Sequence, residues 1–149
     1  MPSSTFFNLQ PEKRERLLAA AREEFARASF DQVSINRMIR RAGIPRGSFY
    51  MYFTGKEELF SYLMEEYRRQ AEEQLGRFLE ERSGELFEAF LDLFDYVHRR
   101  RDTGPCREML DILRQNPQMR ADMFLLRDPC LHRMDALRAR INTAGLDLR

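Results

Sequence analysis

The side chains most able to do chemistry stand between Gln32 and Lys56, where Arg37, Arg40, Arg41, Arg46 and Lys56 occur among 25 residues without one Asp or Glu. Guanidinium and ammonium groups carry charge and several N–H donors, so the chemistry they fit is the binding of an anion, phosphate above all. Neutral donors are threaded between them at Ser34, Asn36, Ser48, Tyr50 and Tyr52, and Met51 adds an apolar contact. The bias extends beyond this window. Residues 1–56 hold ten Lys or Arg against five Asp or Glu, residues 57–149 hold fifteen against nineteen, and the whole chain carries only +1. A solvated basic face is the plainer reading of such a run.

Other chemistries find less support. His98, His132, Cys106 and Cys130 contain no pair at a chelating helical spacing and no Cys-x-x-Cys, so neither a metal centre nor a disulfide framework is expected. The two histidines read as packed or solvated side chains on helices. No phosphate-binding glycine loop, dinucleotide fingerprint or nucleophile elbow occurs, and Glu72, Glu73, Glu80 and Glu81 read as a solvated face. The expectation is a non-enzyme without cofactor. The longest aliphatic run, Leu17 to Ala21, is far short of the roughly 20 apolar residues that cross a bilayer. With two cysteines and no export signal, a reducing cytoplasm and no membrane partner are expected.

The elements that must position the basic window are helical. No stretch alternates apolar and polar residues between turn signals, and the chain reads as all-α. Pro11, Pro105, Pro117 and Pro129 mark helix starts, and Asn116 and Asp128 precede the last two as capping side chains. A first helix is predicted over residues 11–28, with Leu18, Ala21, Phe25 and Ala28 on its inner face. A second starts at the N-cap Ser34, turns Ile35, Met38, Ile39 and Ala42 inward, and ends at Gly43. A third covers 46–53, with Phe49 and Phe53 on one face. Thr54-Gly55 breaks the chain before a long helix over 56–82, and Ser83-Gly84 breaks it again before a helix over 85–100, where Phe87, Phe90, Leu91, Phe94, Val97 and His98 form one of the clearest apolar faces.

Two short helices joined by a tight glycine turn inside a basic, acid-free window have the dimensions of a helix-turn-helix. The segments Val33-Ser34-Ile35-Asn36-Arg37-Met38-Ile39, Ala42-Gly43-Ile44-Pro45-Arg46-Gly47-Ser48-Phe49-Tyr50-Met51-Tyr52-Phe53 and Lys56-Glu57-Glu58-Leu59 resemble the DNA-binding domain of the TetR family of bacterial transcriptional regulators. The resemblance spans about residues 12–82, and beyond that only the helix pattern is shared. Pro45 and Gly55 stand where family members often carry a capping serine, which leaves two helix starts without their usual side-chain acceptor.

On the physics of the motif, the third helix enters a major groove while Phe49 and Phe53 anchor it. Arg46 then meets a guanine edge or a phosphate, Gly47 allows close backbone approach, Ser48 and Tyr50 donate to phosphate or base, and Met51 packs on a thymine methyl. The resemblance implies that Tyr52 and Lys56 lie against the phosphate backbone, with Ser34 and Arg37 contributing from the second helix and Asn36 reading a base. Packing in the core is the alternative for Tyr50 and Tyr52.

The expected architecture is therefore a three-helix helix-turn-helix DNA-binding domain over residues 1–55, joined by a long helix to a helical ligand-binding and dimerisation domain over 56–149 that is C-terminally incomplete. Phe87, Phe90, Phe94, Met109, Leu113, Met119 and Met123 are the expected lining of a small-molecule pocket, with ordinary core packing as the alternative. The resemblance implies a homodimer, a palindromic double-stranded DNA operator, a small-molecule effector and repression. A short apolar stripe of Leu131, Met134, Leu137 and Ile141 within residues 129–143 is the expected dimer contact. The competing functional class is a helical ligand-binding or protein-interaction module that does not bind DNA.

Overall fold

The computed structural model describes residues 1–117, 137 and 139–143. Its elements are α1 (Ser4–Phe7), α2 (Pro11–Arg27), a single 3-10 turn (Phe30–Gln32), α3 (Ile35–Ala42), α4 (Arg46–Tyr52), α5 (Lys56–Glu81), α6 (Leu86–Arg100) and α7 (Gly104–Gln115). Among the described residues there is no strand, and no helix is long and apolar enough to cross a membrane. The expected helices near Pro117 and Pro129, and with them Met119 and Met123, lie outside the described residues.

Local signals set the boundaries of the short helices. The Ser34 hydroxyl accepts from the Arg37 N–H at 3.4 Å, satisfying one of the free donors at the start of α3. Gly43 closes α3 at φ 67°, a left-handed conformation that a Cβ would disfavour. Pro45 offers α4 no side-chain acceptor. Gly55 offers none to α5 either, and there Glu58 reaches back to accept from the Thr54 N–H at 2.7 Å and hydroxyl at 3.0 Å, tying off the chain just ahead of the helix.

One core joins the first half of the chain to α7. Leu17, Ala21 and Phe25 of α2, Met38 and Ala42 of α3, Phe49 of α4 with Phe53 just beyond it, and Leu59, Phe60, Leu63 and Tyr67 of α5 are buried in a single cluster that also includes Ile112 of α7. The packing therefore continues across residue 55: the first three turns of α5 belong to the same core as α2, α3 and α4. At the far end of α5, Ser83 (φ 53°) and Gly84 (φ 84°) reverse the chain, and a Cβ on Gly84 would lie 2.6 Å from the Arg140 carbonyl. Arg82 pairs with Asp92 through two hydrogen bonds of 2.6 and 2.8 Å, pinning α6 back against α5.

Asn116 has partners that the sequence reading did not foresee, while the helix it was expected to cap lies outside the described residues. The asparagine is fully buried; its Oδ1 accepts from the Phe30 N–H at 2.7 Å and its Nδ2 donates to the Ile112 carbonyl at 2.9 Å, so the side chain ties the end of α7 to the 3-10 turn. The apolar face of α6 is largely exposed: Phe87, Phe90, Leu91 and Phe94 are 74%, 51%, 48% and 68% exposed, because α5 and α7 pack against the flank of the helix where Ala89 is fully buried.

Candidate nucleic-acid interface

Helices α3 and α4 are held at a fixed angle by contacts that leave one face of α4 free. Phe49 and Phe53 are 0% and 1% exposed, and Phe53 meets Phe6 of α1 at 4.8 Å between ring centroids. Burying each ring stabilises the pair of helices by about 1.5–3 kcal/mol. Because these two occupy the inner face, Arg46, Gly47, Tyr50 and Met51 are directed outward, with Tyr50 47% and Met51 60% exposed and Ser48 half-buried. A Cβ on Gly47 would touch nothing within 4 Å, so the backbone there is open to an approaching surface.

Asn36 and Arg46, ten residues apart, are brought together across the turn. Arg46 Nη1 donates to Asn36 Oδ1 at 3.0 Å, and the guanidinium sits 5.9 Å from the Tyr50 ring centroid. This makes a small donor-rich cluster on the outer surface, with the geometry to meet a base edge or a phosphate.

Four other sequence-expected residues have structural roles in the free protein. The Ser34 hydroxyl is the α3 cap described above. Arg37 donates through Nε (2.7 Å) and Nη2 (2.6 Å) to Glu24, and through Nη2 to the Gln32 carbonyl at 3.1 Å. The Tyr52 ring is half-buried and lies 6.5 Å from Phe6, which is the core-packing alternative for that residue. Lys56 Nζ donates to the carbonyls of Phe30 (2.9 Å) and Asp31 (3.2 Å) and sits 4.8 Å from the Phe30 ring centroid. The lysine thus satisfies acceptors of the 3-10 turn as well as carrying charge.

Two contributors, Glu24 and α1, escaped the sequence reading, and a third, Arg40, was counted in the basic window without a role of its own. Glu24 is a buried carboxylate that accepts from the Ser34 N–H at 3.1 Å as well as from Arg37, locking the start of α3 to α2. Burial works to raise its pKa, but the hydrogen bonds from Arg37 and the Ser34 N–H, with the charges of Arg37 and Arg41, outweigh burial and hold it below the ordinary glutamate value. Arg40 lies on a surface groove shared with Arg27, Arg37 and Arg41, and has no ion pair among the described residues. Helix α1 braces the motif: Phe6 is fully buried, and Ser3 donates from its N–H to the Tyr52 carbonyl at 3.0 Å and from its hydroxyl to the Met51 carbonyl at 2.5 Å. Ser3 three residues ahead of Phe6 was a readable cap signal for that helix.

A cavity of about 350 Å³ lies elsewhere, between α5, α6 and the start of α7. Of the expected pocket residues, Met109 lines it. Leu113 is buried but does not, while Phe87, Phe90 and Phe94 face away from it into solvent. His98 is exposed and its ring stacks on Phe94, and among the described residues no group of His, Cys, Asp and Glu could hold a metal ion.

Comparison with known proteins agrees with this geometry. Residues 17–63 match the family model for bacterial regulatory proteins of the tetR family. Two curated Bacillus subtilis (strain 168) proteins are similar over segments of 56 and 53 residues. The uncharacterized HTH-type transcriptional regulator YdgC is 38% identical over 56 residues, covering 38% of this chain and 29% of that protein. The uncharacterized HTH-type transcriptional regulator YvdT is 36% identical over 53 residues, covering 36% and 27%. Among solved structures, a TetR family transcriptional regulator from Chloroflexus aurantiacus J-10-fl superposes with a TM-score of 0.60 at 33% identity, over 93% of this chain and 60% of that one. The chain thus spans under a third of the curated relatives and about three fifths of the solved one.

Proposed function

From its membership of the TetR family of bacterial transcriptional regulators, we propose that the chain binds double-stranded DNA through α4, as a symmetric dimer on a palindromic operator, and represses transcription until a small molecule binds between its later helices. Residues 1–55 are the DNA-reading unit in this proposal, and residues 56–149 the ligand-binding and dimerising part. The observation that carries it is the division of α4 into two faces: Phe49 and Phe53 locked inward, and Arg46, Tyr50 and Met51 open outward in a window without a carboxylate. A helix so anchored enters a major groove without rearrangement.

Roles divide by position. Arg46, linked to Asn36, starts the helix that enters the groove and reads a base, with Gly47, Ser48, Tyr50 and Met51 completing the contact. Lys56, Tyr52, Ser34 and Arg37 lie where the phosphate backbone passes, and Arg40 joins them. An effector acts at a distance, by favouring one of two arrangements of α5 and α7 relative to α4.

Selection of bound sites from random duplexes at stated salt tests the reading. The expected product is an inverted repeat occupied by two copies, with Arg46→Ala costing about 1–3 kcal/mol on the best site and relaxing choice at one base pair per half-site. Lys56→Ala should weaken all sequences alike and lower the salt slope by roughly one counterion. Failure to enrich any sequence, with no duplex binding at low salt, overturns DNA binding and favours the interaction-module class. Enrichment of a site without symmetry overturns the dimer alone.

A further inference from the structure

The cavity between α5, α6 and α7 has a chemical character of its own. Its apolar wall comes from Ala71, Leu93, Val97 and Met109, and its volume of about 350 Å³ is within the range that holds a small ligand. Among its described lining residues Arg100 is the one Lys or Arg, and none is Asp or Glu. Arg100 is held ready. Its Nη1 donates to the Tyr96 hydroxyl at 2.8 Å and its guanidinium lies 4.4 Å from that ring's centroid, an arrangement that orients the planar fork and leaves its other donors open.

No acid claims it. Of the three carboxylates on the neighbouring surface, Asp92 is bound by Arg82, Asp95 accepts from Arg99 at 3.2 Å, and Glu81 forms no ion pair with Arg100. Among the described residues Arg100 makes no ion pair. The first turn of α7, from Thr103 to Cys106, also lines the cavity, and Thr103 makes no side-chain cap, so the positive end of a twelve-residue helix adds to the potential there. Tyr67, the buried wall residue, stays a neutral phenol. Burial foremost, and then the charge of Glu108, push its pKa well above the ordinary value, and its hydroxyl donates to Glu108 at 3.4 Å.

We propose that this cavity binds an amphipathic monocarboxylate, its apolar body against Leu93, Val97 and Met109 and its carboxylate on Arg100. The inference rests on the ligand-responsive reading above and specifies the chemistry of the ligand. A cation would meet charge of its own sign from Arg100 and the helix end, and an uncharged molecule would leave the oriented guanidinium unused. A multiply charged anion, such as a nucleotide, would need more cationic donors than the single arginine supplies.

The test uses two matched trios on the full chain at low ionic strength: decanoate, decanol and decylamine, and 4-phenylbutyrate, 4-phenylbutanol and 4-phenylbutylamine. Calorimetry gives affinity, and the ¹³C-methyl resonance of Met109 reports whether the cavity is the site. In at least one trio the carboxylate should bind about ten-fold more tightly than the alcohol and shift Met109. Arg100→Gln, at an exposed position, should erase that margin while leaving the alcohol's affinity unchanged. A margin that survives Arg100→Gln, equal binding within both trios, no binding at all, or binding that leaves Met109 unshifted overturns the proposal. DNA affinity is measured separately: a carboxylate that meets every criterion yet leaves DNA affinity unchanged supports this site and overturns ligand control.

Discussion

Helix α4 and the residue that caps its end carry Phe49 and Phe53, four residues apart and both buried. Helix α6 carries Phe87, Phe90, Leu91 and Phe94 at the same helical steps and leaves all four between 48% and 74% exposed. The spacing is equally good in each, so periodicity alone does not explain the difference. What α4 has is neighbours on its apolar side: Phe6 of α1 lies 4.8 Å and Tyr62 of α5 lies 6.1 Å from Phe53. The described neighbours of α6, α5 and α7, meet the flank that carries Ala89 instead. A repeat of three and four residues tells which face of a helix is apolar; whether that face leaves water depends on a partner supplied from elsewhere in the chain.

The sharpest way to break this comparison is to remove one ring from each helix. Phe53→Ala should destabilise the protein by about 3–5 kcal/mol and take DNA binding with it, because the truncation opens a cavity in a closed core. Phe90→Ala should stay within about 0.5 kcal/mol. Urea unfolding of both variants decides it, and equal losses would mean that the α6 face is covered in solution.

Asn116→Ala addresses the element between these extremes, since this buried amide, with Ile112, Met109 and the Arg22–Glu108 ion pair, docks α7 on the closed half. Leaving the Phe30 N–H without its acceptor should cost about 1–3 kcal/mol in the same unfolding experiment. A neutral result would show that water replaces the side chain.

A smaller effect, with a pH signature, is expected at Glu24. Its pKa in the folded protein lies below the ordinary glutamate value, so the ionised carboxylate contributes stability above the unfolded pKa of about 4.3, and that contribution is lost as the pH falls through the folded value. Glu24→Gln should therefore lower the melting temperature by a few degrees at neutral pH. The gap to wild type should close in acid. A gap that stays constant down to pH 3 would show that Glu24 acts through packing instead of charge.

Much of the reading unit is legible in the residues themselves. Ser34 as a cap, Gly43 as a left-handed stop, the break at Thr54-Gly55 and the shared face of Phe49 and Phe53 all follow from interactions within four residues along the chain, and these act in much the same way in any tertiary setting. The acid-free window is likewise a property of composition. The sequence by itself therefore determines where helices begin and end, which face of α4 is apolar, and that a cationic surface accompanies it.

The tertiary structure decides which charges and amides remain available. Lys56 meets the carbonyls of Phe30 and Asp31 from 26 and 25 residues away, and Asn116 reaches the Phe30 N–H from 86 residues away. At such separations no local preference selects the partner; packing of α2, α5 and α7 around one core does. The same packing buries Glu24 beside Arg37, turns the rings of α6 into solvent, and puts Arg100, Met109 and the start of α7 around one cavity. Hydrogen bonds and ion pairs form between groups that the fold has already brought within about 3 Å, so their assignment waits on the fold.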